Sequence, residues 1–140
     1  MNDISVKFAG KQDELFLLNN SQLTSEVFNR KYQHDEILIA TLDGQAVGFL
    51  VFDYLWYHIP FIVFIWINVK YRKKGIGKTL LSHLEKFLLN KGNVILFSSS
   101  EENAINAQAW HRHMGFKDCG SISGINYNNT SEVFFKKDLV

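Results

Sequence analysis

The segment Arg72-Lys73-Lys74-Gly75-Ile76-Gly77-Lys78 constrains this chain more than any other, because of what flanks it. An apolar, strand-like run from Phe61 to Val69 precedes it. After it comes an amphipathic helical pattern, with Leu80, Leu81, Leu84, Phe87 and Leu88 on one face and Ser82, Glu85 and Lys86 off it. A strand that feeds a cationic glycine loop and then a helix is suited to an anion. The first turn of a helix has free N–H groups, and its dipole adds partial positive charge there. Gly75 and Gly77 let the backbone approach a phosphate without a Cβ in the way. A di- or polyphosphate is the expected ligand.

Composition narrows the setting. A chain of 140 residues fits one domain, expected over 1–140, with a sizeable core. A net charge of +1 provides no global field, so neither nucleic acid nor an anionic membrane is an expected partner. The single cysteine, Cys119, excludes an internal disulfide and a cysteine-based metal centre. No histidines fall at ligand spacing, so no metal is expected, and His83 and His113 read as surface residues. The longest apolar run, Pro60 to Ile67, is too short to span a bilayer, and no leader pattern is present. A cytoplasmic location is the expectation.

Periodicity gives a strand through Ala9, then helical patterns around Asp13–Leu18 and Leu23–Gln33. Glu36–Leu42 and Gln45–Tyr54 read as a hairpin around Asp43-Gly44. An aromatic loop, Tyr54–Ile59, leads to the central strand, and the helix from Gly77 to Asn90 stops at Lys91-Gly92. A short strand at Val94–Ser98 and a helix at Ala104–Met114, closed by Gly115, follow. The tail reads as a hairpin of Gly120–Asn126 and Glu132–Lys136. Hairpins around a strand–helix–strand–helix unit give an α/β or α+β chain: a mixed, mostly antiparallel sheet flanked by helices.

Three phosphate-binding loops can be weighed. Gly77-Lys78-Thr79 ends like a P-loop, but Arg72 stands where that motif needs its first glycine. A dinucleotide loop needs a third glycine, and Leu80 occupies that place. The third candidate is an R-x-x-G-x-G loop after a strand that ends in a valine and a Tyr-Arg pair. It resembles motif A of the GNAT superfamily of acyl-CoA N-acyltransferases. Ala107-Gln108-Ala109-Trp110-His111-Arg112-His113-Met114-Gly115-Phe116 is similar to that superfamily's closing helix, A-x-x-F-Y-x-x-x-G-F. The resemblance covers Phe61 to Phe116.

The resemblance implies a GNAT fold and acetyl-CoA as cosubstrate. Backbone groups of Ile67, Asn68 and Val69 would pair with the pantetheine arm. N–H groups from Lys73 to Lys78, Ile76 included, would hold the pyrophosphate. Arg72, Lys73, Lys74 and Lys78 would add charge, part of it for the 3′-phosphate. It also implies a family asparagine at the start of the closing helix. That position is Ala104 here, and Asn103 and Asn106 flank it; Asn103 suits a helix cap, and Asn106 could reach the cofactor.

Acyl transfer to an amine needs a polarised thioester carbonyl, a deprotonated amine and a stabilised thiolate. The chain departs from the family pattern at two of the residues that serve these needs. His111 takes the place of the usual tyrosine acid; an imidazole of ordinary pKa about 6.5 could protonate the thiolate or only pack beside the cofactor. Val63 occupies the strand position where many relatives have a glutamate base, and no carboxylate occurs from Pro60 to Val69. A base would have to come from Asp35, Glu36, Asp53 or His58, or from a water chain. The aromatic segment Tyr54-Leu55-Trp56-Tyr57-His58 suits an apolar or cationic acceptor, a core cap or a dimer surface.

The expectation is an acetyl-CoA-dependent N-acetyltransferase acting by direct attack on a primary amine of a small molecule or peptide. The rival is a non-catalytic acyl-CoA-binding or regulatory domain of the same fold. Families of this kind commonly form homodimers.

Overall fold

The computed structural model describes residues 3–140. A seven-stranded mixed sheet runs in the order β1-β2-β3-β4-β5-β7-β6, flanked by helices. The strands are β1 Ile4–Phe8, β2 Ile37–Leu42, β3 Gln45–Leu55, β4 Ile59–Ile67, β5 Ile95–Glu101, β6 Lys117–Ile122 and β7 Glu132–Asp138. The helices are α1 Glu14–Asn19, α2 Ser25–Gln33, α3 Ile76–Asn90 and α4 Ile105–His113. The α/β class with a mixed sheet is therefore as the sequence implies. Of the opening strand expected through Ala9, Met1 and Asn2 lie outside the described residues.

The chain divides into two compact units. The first holds residues up to Phe52 together with Phe64–Lys86. Its core gathers Leu17 from α1 and Phe28 from α2 against Ile37, Ile39, Phe49 and Val51 of β2 and β3. Thr24 caps α2 by accepting the Val27 N–H at 3.2 Å, and Phe28 stacks on Tyr32 one turn later. Gly48 is required where β3 meets β4: a Cβ there would lie 2.8 Å from the Trp66 carbonyl oxygen. On α3, Leu80, Leu81 and Leu84 are buried at the spacing the sequence predicts. Each contributes about 1.5–3 kcal/mol to holding that helix in register.

The second unit holds Asp53–Val63 and Phe87–Val140. Here β4 runs parallel to β5 with Phe61 opposite Phe97. Along β4 the alternation of buried and exposed residues breaks at Val63 and Phe64, both exposed, as a bulge would make it do. β5 and β7 are antiparallel from Ile95↔Asp138 to Glu101↔Glu132. Three boundaries differ from the sequence reading. Tyr54–Ile59 is not a loop, because β3 and β4 continue to a tight turn at Trp56 and Tyr57. β6 starts at Lys117, and Gly120 lies inside it at a register shift. β5 extends to Glu101, which brings its last carboxylate into the sheet.

Candidate active site

The cationic loop lies in the first unit. β4 ends at Ile67, not Val69, and Asn68–Tyr71 form a turn in which Tyr71 N–H donates to the Asn68 carbonyl at 2.8 Å. The Asn68 side chain accepts the Lys70 N–H at 3.0 Å, and Asn68 N–H donates to Val47 at 2.9 Å. Arg72 folds back, with Nε donating to the Ile67 carbonyl at 2.8 Å. Ile67 O and Asn68 N–H are thus engaged within the protein, while Val69 is exposed.

Beyond Arg72 the backbone turns through two left-handed residues, Lys73 (φ 64°) and Gly75 (φ 84°). Gly75 adopts this conformation freely; Lys73 does so at a strain cost of the sort concentrated at functional loops. The turn ends at α3, where Thr79 donates N–H and Oγ1–H to the Gly75 carbonyl at 3.0 and 2.8 Å. The N–H groups of Ile76, Gly77 and Lys78 precede that first helical bond and meet no acceptor among the described residues. Arg72, Lys73, Lys74 and Lys78 are all exposed around them. Ile76 is buried and anchors the turn. The loop therefore presents free donors, a helix N-terminus and four cations to one anion.

His111 lies in the second unit, on α4. It is only 3% exposed, its ring stacked 4.6 Å from Phe135 and edged by Trp110 and Phe116. Nδ1 is 2.7 Å from the Ala107 carbonyl, which can only accept, so Nδ1 carries the proton. Nε2, 2.7 Å from Ser98 Oγ, then accepts the serine hydroxyl proton. Burial pushes the imidazole pKa below its ordinary value, against the raising effect of the Ala107 bond and the Glu132 charge; the Arg112 charge lowers it further. The ring is neutral with both nitrogens engaged, and it has no free proton to offer a thiolate. The expectation of His111 as the acid is not supported by this geometry.

A group whose folded pKa is depressed contributes stability that is present above its unfolded value, about 6.5, and lost as pH falls through the folded value. The wild-type chain is expected to lose stability between about pH 7.5 and about pH 5 by more than a His111→Phe variant does. Urea midpoints at the two pH values check this.

The other candidates are scattered. Asn103 and Asn106 are exposed, and Ala104 is the N-cap of α4 without a side-chain bond, so Asn103 does not cap that helix. Glu36 is 3.2 Å from Lys31 Nζ, Asp53 accepts the Tyr54 N–H, and His58 Nδ1 faces the Trp56 carbonyl at 2.7 Å. Asp35 lies in a left-handed turn. Cys119 is exposed, its thiol pKa raised by burial. Among the described residues no three His, Cys, Asp or Glu side chains gather as a metal site, and no helix is long and apolar enough to cross a membrane.

The sequence reading missed a group on the other face of β5. Glu101 and Glu132 stand directly opposite each other across β5 and β7. Ser99 Oγ donates to Glu132 Oε2 at 2.7 Å, Asn126 Nδ2 donates to Glu132 Oε1 at 3.1 Å, and Thr130 Oγ1 donates to Glu101 Oε2 at 3.3 Å. Two glutamates so far apart in the chain carry no common motif; only the strand register unites them.

Loop, sheet and closing helix together define an acyltransferase-type fold. The chain belongs to the Acetyltransferase (GNAT) family, whose model matches residues 8–116. No curated protein matches it in sequence. Solved structures agree on the fold. Ard1 from Thermoplasma volcanium superposes with a TM-score of 0.89 at 12% identity, covering 98% of each chain. The ribosomal-protein-S18-alanine N-acetyltransferase from Escherichia coli gives 0.80 at 17% identity, covering 99% of this chain and 94% of its own. A Bacillus anthracis protein described as a streptothricin acetyltransferase, in complex with acetyl coenzyme A, gives 0.67 at 23% identity. That match covers 73% of this chain and 61% of the other.

Proposed function

We propose that this chain is an acetyl-CoA-dependent N-acetyltransferase that transfers the acetyl group to a primary amine by direct attack in a ternary complex. The observation that carries the reading is the run of unbonded N–H groups, Ile76 to Lys78, behind the left-handed Gly75 and beneath four exposed cations. That arrangement suits the pyrophosphate of coenzyme A, and a family relative in fold is known with acetyl coenzyme A bound. Arg72, tied to Ile67 O, holds the strand end to the loop, while Lys73, Lys74 and Lys78 supply charge to the phosphates. Backbone near Ile67, Asn68 and Val69 remains the proposed neighbour of the pantetheine arm, chiefly through Val69, whose backbone is the least engaged of the three. Asn106, exposed on α4, stays a candidate cofactor contact.

His111 has a positioning role in this reading, since it clamps Ser98 of β5 to α4. The leaving thiolate takes its proton from solvent or from the attacking nitrogen. Acceptors named for proteins of this fold include ribosomal-protein alanines, so a peptide amine is a natural member of the acceptor set. Acetyl-CoA binding, followed by thiol release across a panel of peptide and small-molecule amines, tests the proposal. Turnover with at least one amine is expected; binding without turnover of any amine would favour the non-catalytic acyl-CoA-binding domain.

A further inference from the structure

Amine acetylation needs a group that removes a proton from an ammonium, and β4 offers none, since Val63 stands where a carboxylate would serve. The β5–β7 face supplies what that strand lacks. Glu101 and Glu132 oppose each other directly, an arrangement that destabilises a strand pair unless a cation lies between. Neither has an ion-pair partner among the described residues; their hydrogen-bond partners are the neutral Ser99, Asn126 and Thr130. Both are half-buried, so water screens their repulsion incompletely.

The same face carries half-buried rings. Phe134 follows Glu132 by two residues and stacks on Phe61 of β4 at 5.9 Å, and Phe97 lies opposite Phe61 in the β4–β5 ladder. The carboxylate pair therefore adjoins an aromatic floor that reaches β4. Phenyl faces and paired carboxylates favour an organic ammonium over a hard metal ion, which would need more oxygen ligands than two glutamates supply.

We propose that Glu132 receives the acceptor's ammonium group and takes its proton, with Glu101 as the second negative charge of the same ammonium subsite. This rests on the transferase reading above. Glu132 is the better fixed of the two, one oxygen on Ser99 and the other on Asn126. The N–H bond of the bound ammonium breaks toward Glu132, and the freed nitrogen lone pair forms the C–N bond to the thioester carbonyl carbon. The C–S bond then breaks, the thiolate leaves with the electron pair, and the second nitrogen proton passes to it. The products are the amide, CoA thiol and one proton on Glu132, which returns to solvent. The acceptor class is a cationic primary amine carrying an apolar group to lie over Phe61, Phe97 and Phe134.

The test uses acetyl-CoA with phenethylamine and with an alanine-headed peptide. Acetyl-CoA affinity is measured first, by calorimetry; its absence from the wild type overturns the transferase reading itself. With affinity intact in wild type and Glu132→Gln, the variant is expected to lose about a hundredfold in kcat/KM. Its residual rate should climb with pH as the free amine fraction grows, a dependence that a merely structural residue would not impose. Ser99→Ala, which keeps the carboxylate and removes one of its holds, should fall less. In parallel, phenethylammonium should shift backbone amide resonances of Ser99, Glu101 and Glu132 in the wild type, and not in Glu132→Gln. Unchanged kcat/KM and pH profile in Glu132→Gln, or no amide shift on this face at saturating phenethylammonium, would overturn the assignment.

Discussion

Valine at both Gly75 and Gly77 is expected to weaken acetyl-CoA binding by about a hundredfold or more, corresponding to two charge-assisted backbone hydrogen bonds at about 1.5 kcal/mol each. The two positions act differently. At Gly75 a Cβ meets nothing within 4 Å, so packing does not forbid a side chain. The obstacle is the backbone, at φ 84°, which a β-branched residue does not hold without strain. Valine there would swing the peptide and turn the following N–H groups away from their common focus. Gly77 lies in the first turn of α3 with a normal helical backbone, and its substitution places bulk where the phosphate would approach. Calorimetry with acetyl-CoA reads the loss, and a thermal melt shows that the fold survives, because the core residues Ile76, Leu80 and Leu84 are untouched. Undiminished binding would remove the loop from the cofactor site.

What was legible in the sequence, and what was not, follows from the range of the interactions involved. Asp43-Gly44 announced its hairpin because both residues take left-handed angles that this pair tolerates. Trp56 and Tyr57 make an equally tight turn at φ 50° and 70°, but nothing in their chemistry signals it, and the aromatic run was read as loop. Gly120 looked like the start of a strand and is an irregularity inside one. The glycine loop was readable because a loop's backbone geometry is local. The role of His111 was not, because motif spacing identifies a position on a helix and not what surrounds it. Ser98, the partner that takes up Nε2, comes from a strand whose pairing no local pattern encodes. The same limit hid Glu101 and Glu132, which become neighbours only through the register of β5 with β7.

Phe135→Ala is expected to cost about 3–5 kcal/mol of stability, against well under half of that for Phe134→Ala one residue earlier on the same strand. β7 alternates its faces, and the two rings illustrate what that alternation decides. Phe135 is fully buried, paired across the sheet with Ser98 and with Asp118, and its ring lies parallel to His111 under the Arg112 guanidinium. Removing it opens a cavity against an imidazole whose two hydrogen bonds depend on staying in place. Water admitted there would hydrate the ring and relieve the burial that depresses its pKa, so the acid sensitivity ascribed to His111 should shrink in the same variant. Phe134 is half-buried, and its loss exposes little that was dry. Denaturant unfolding of both variants at neutral pH reads the contrast. Equal costs would mean that the aromatic face beside Glu132 is part of the core and not an open acceptor surface, which would count against the ammonium subsite as well.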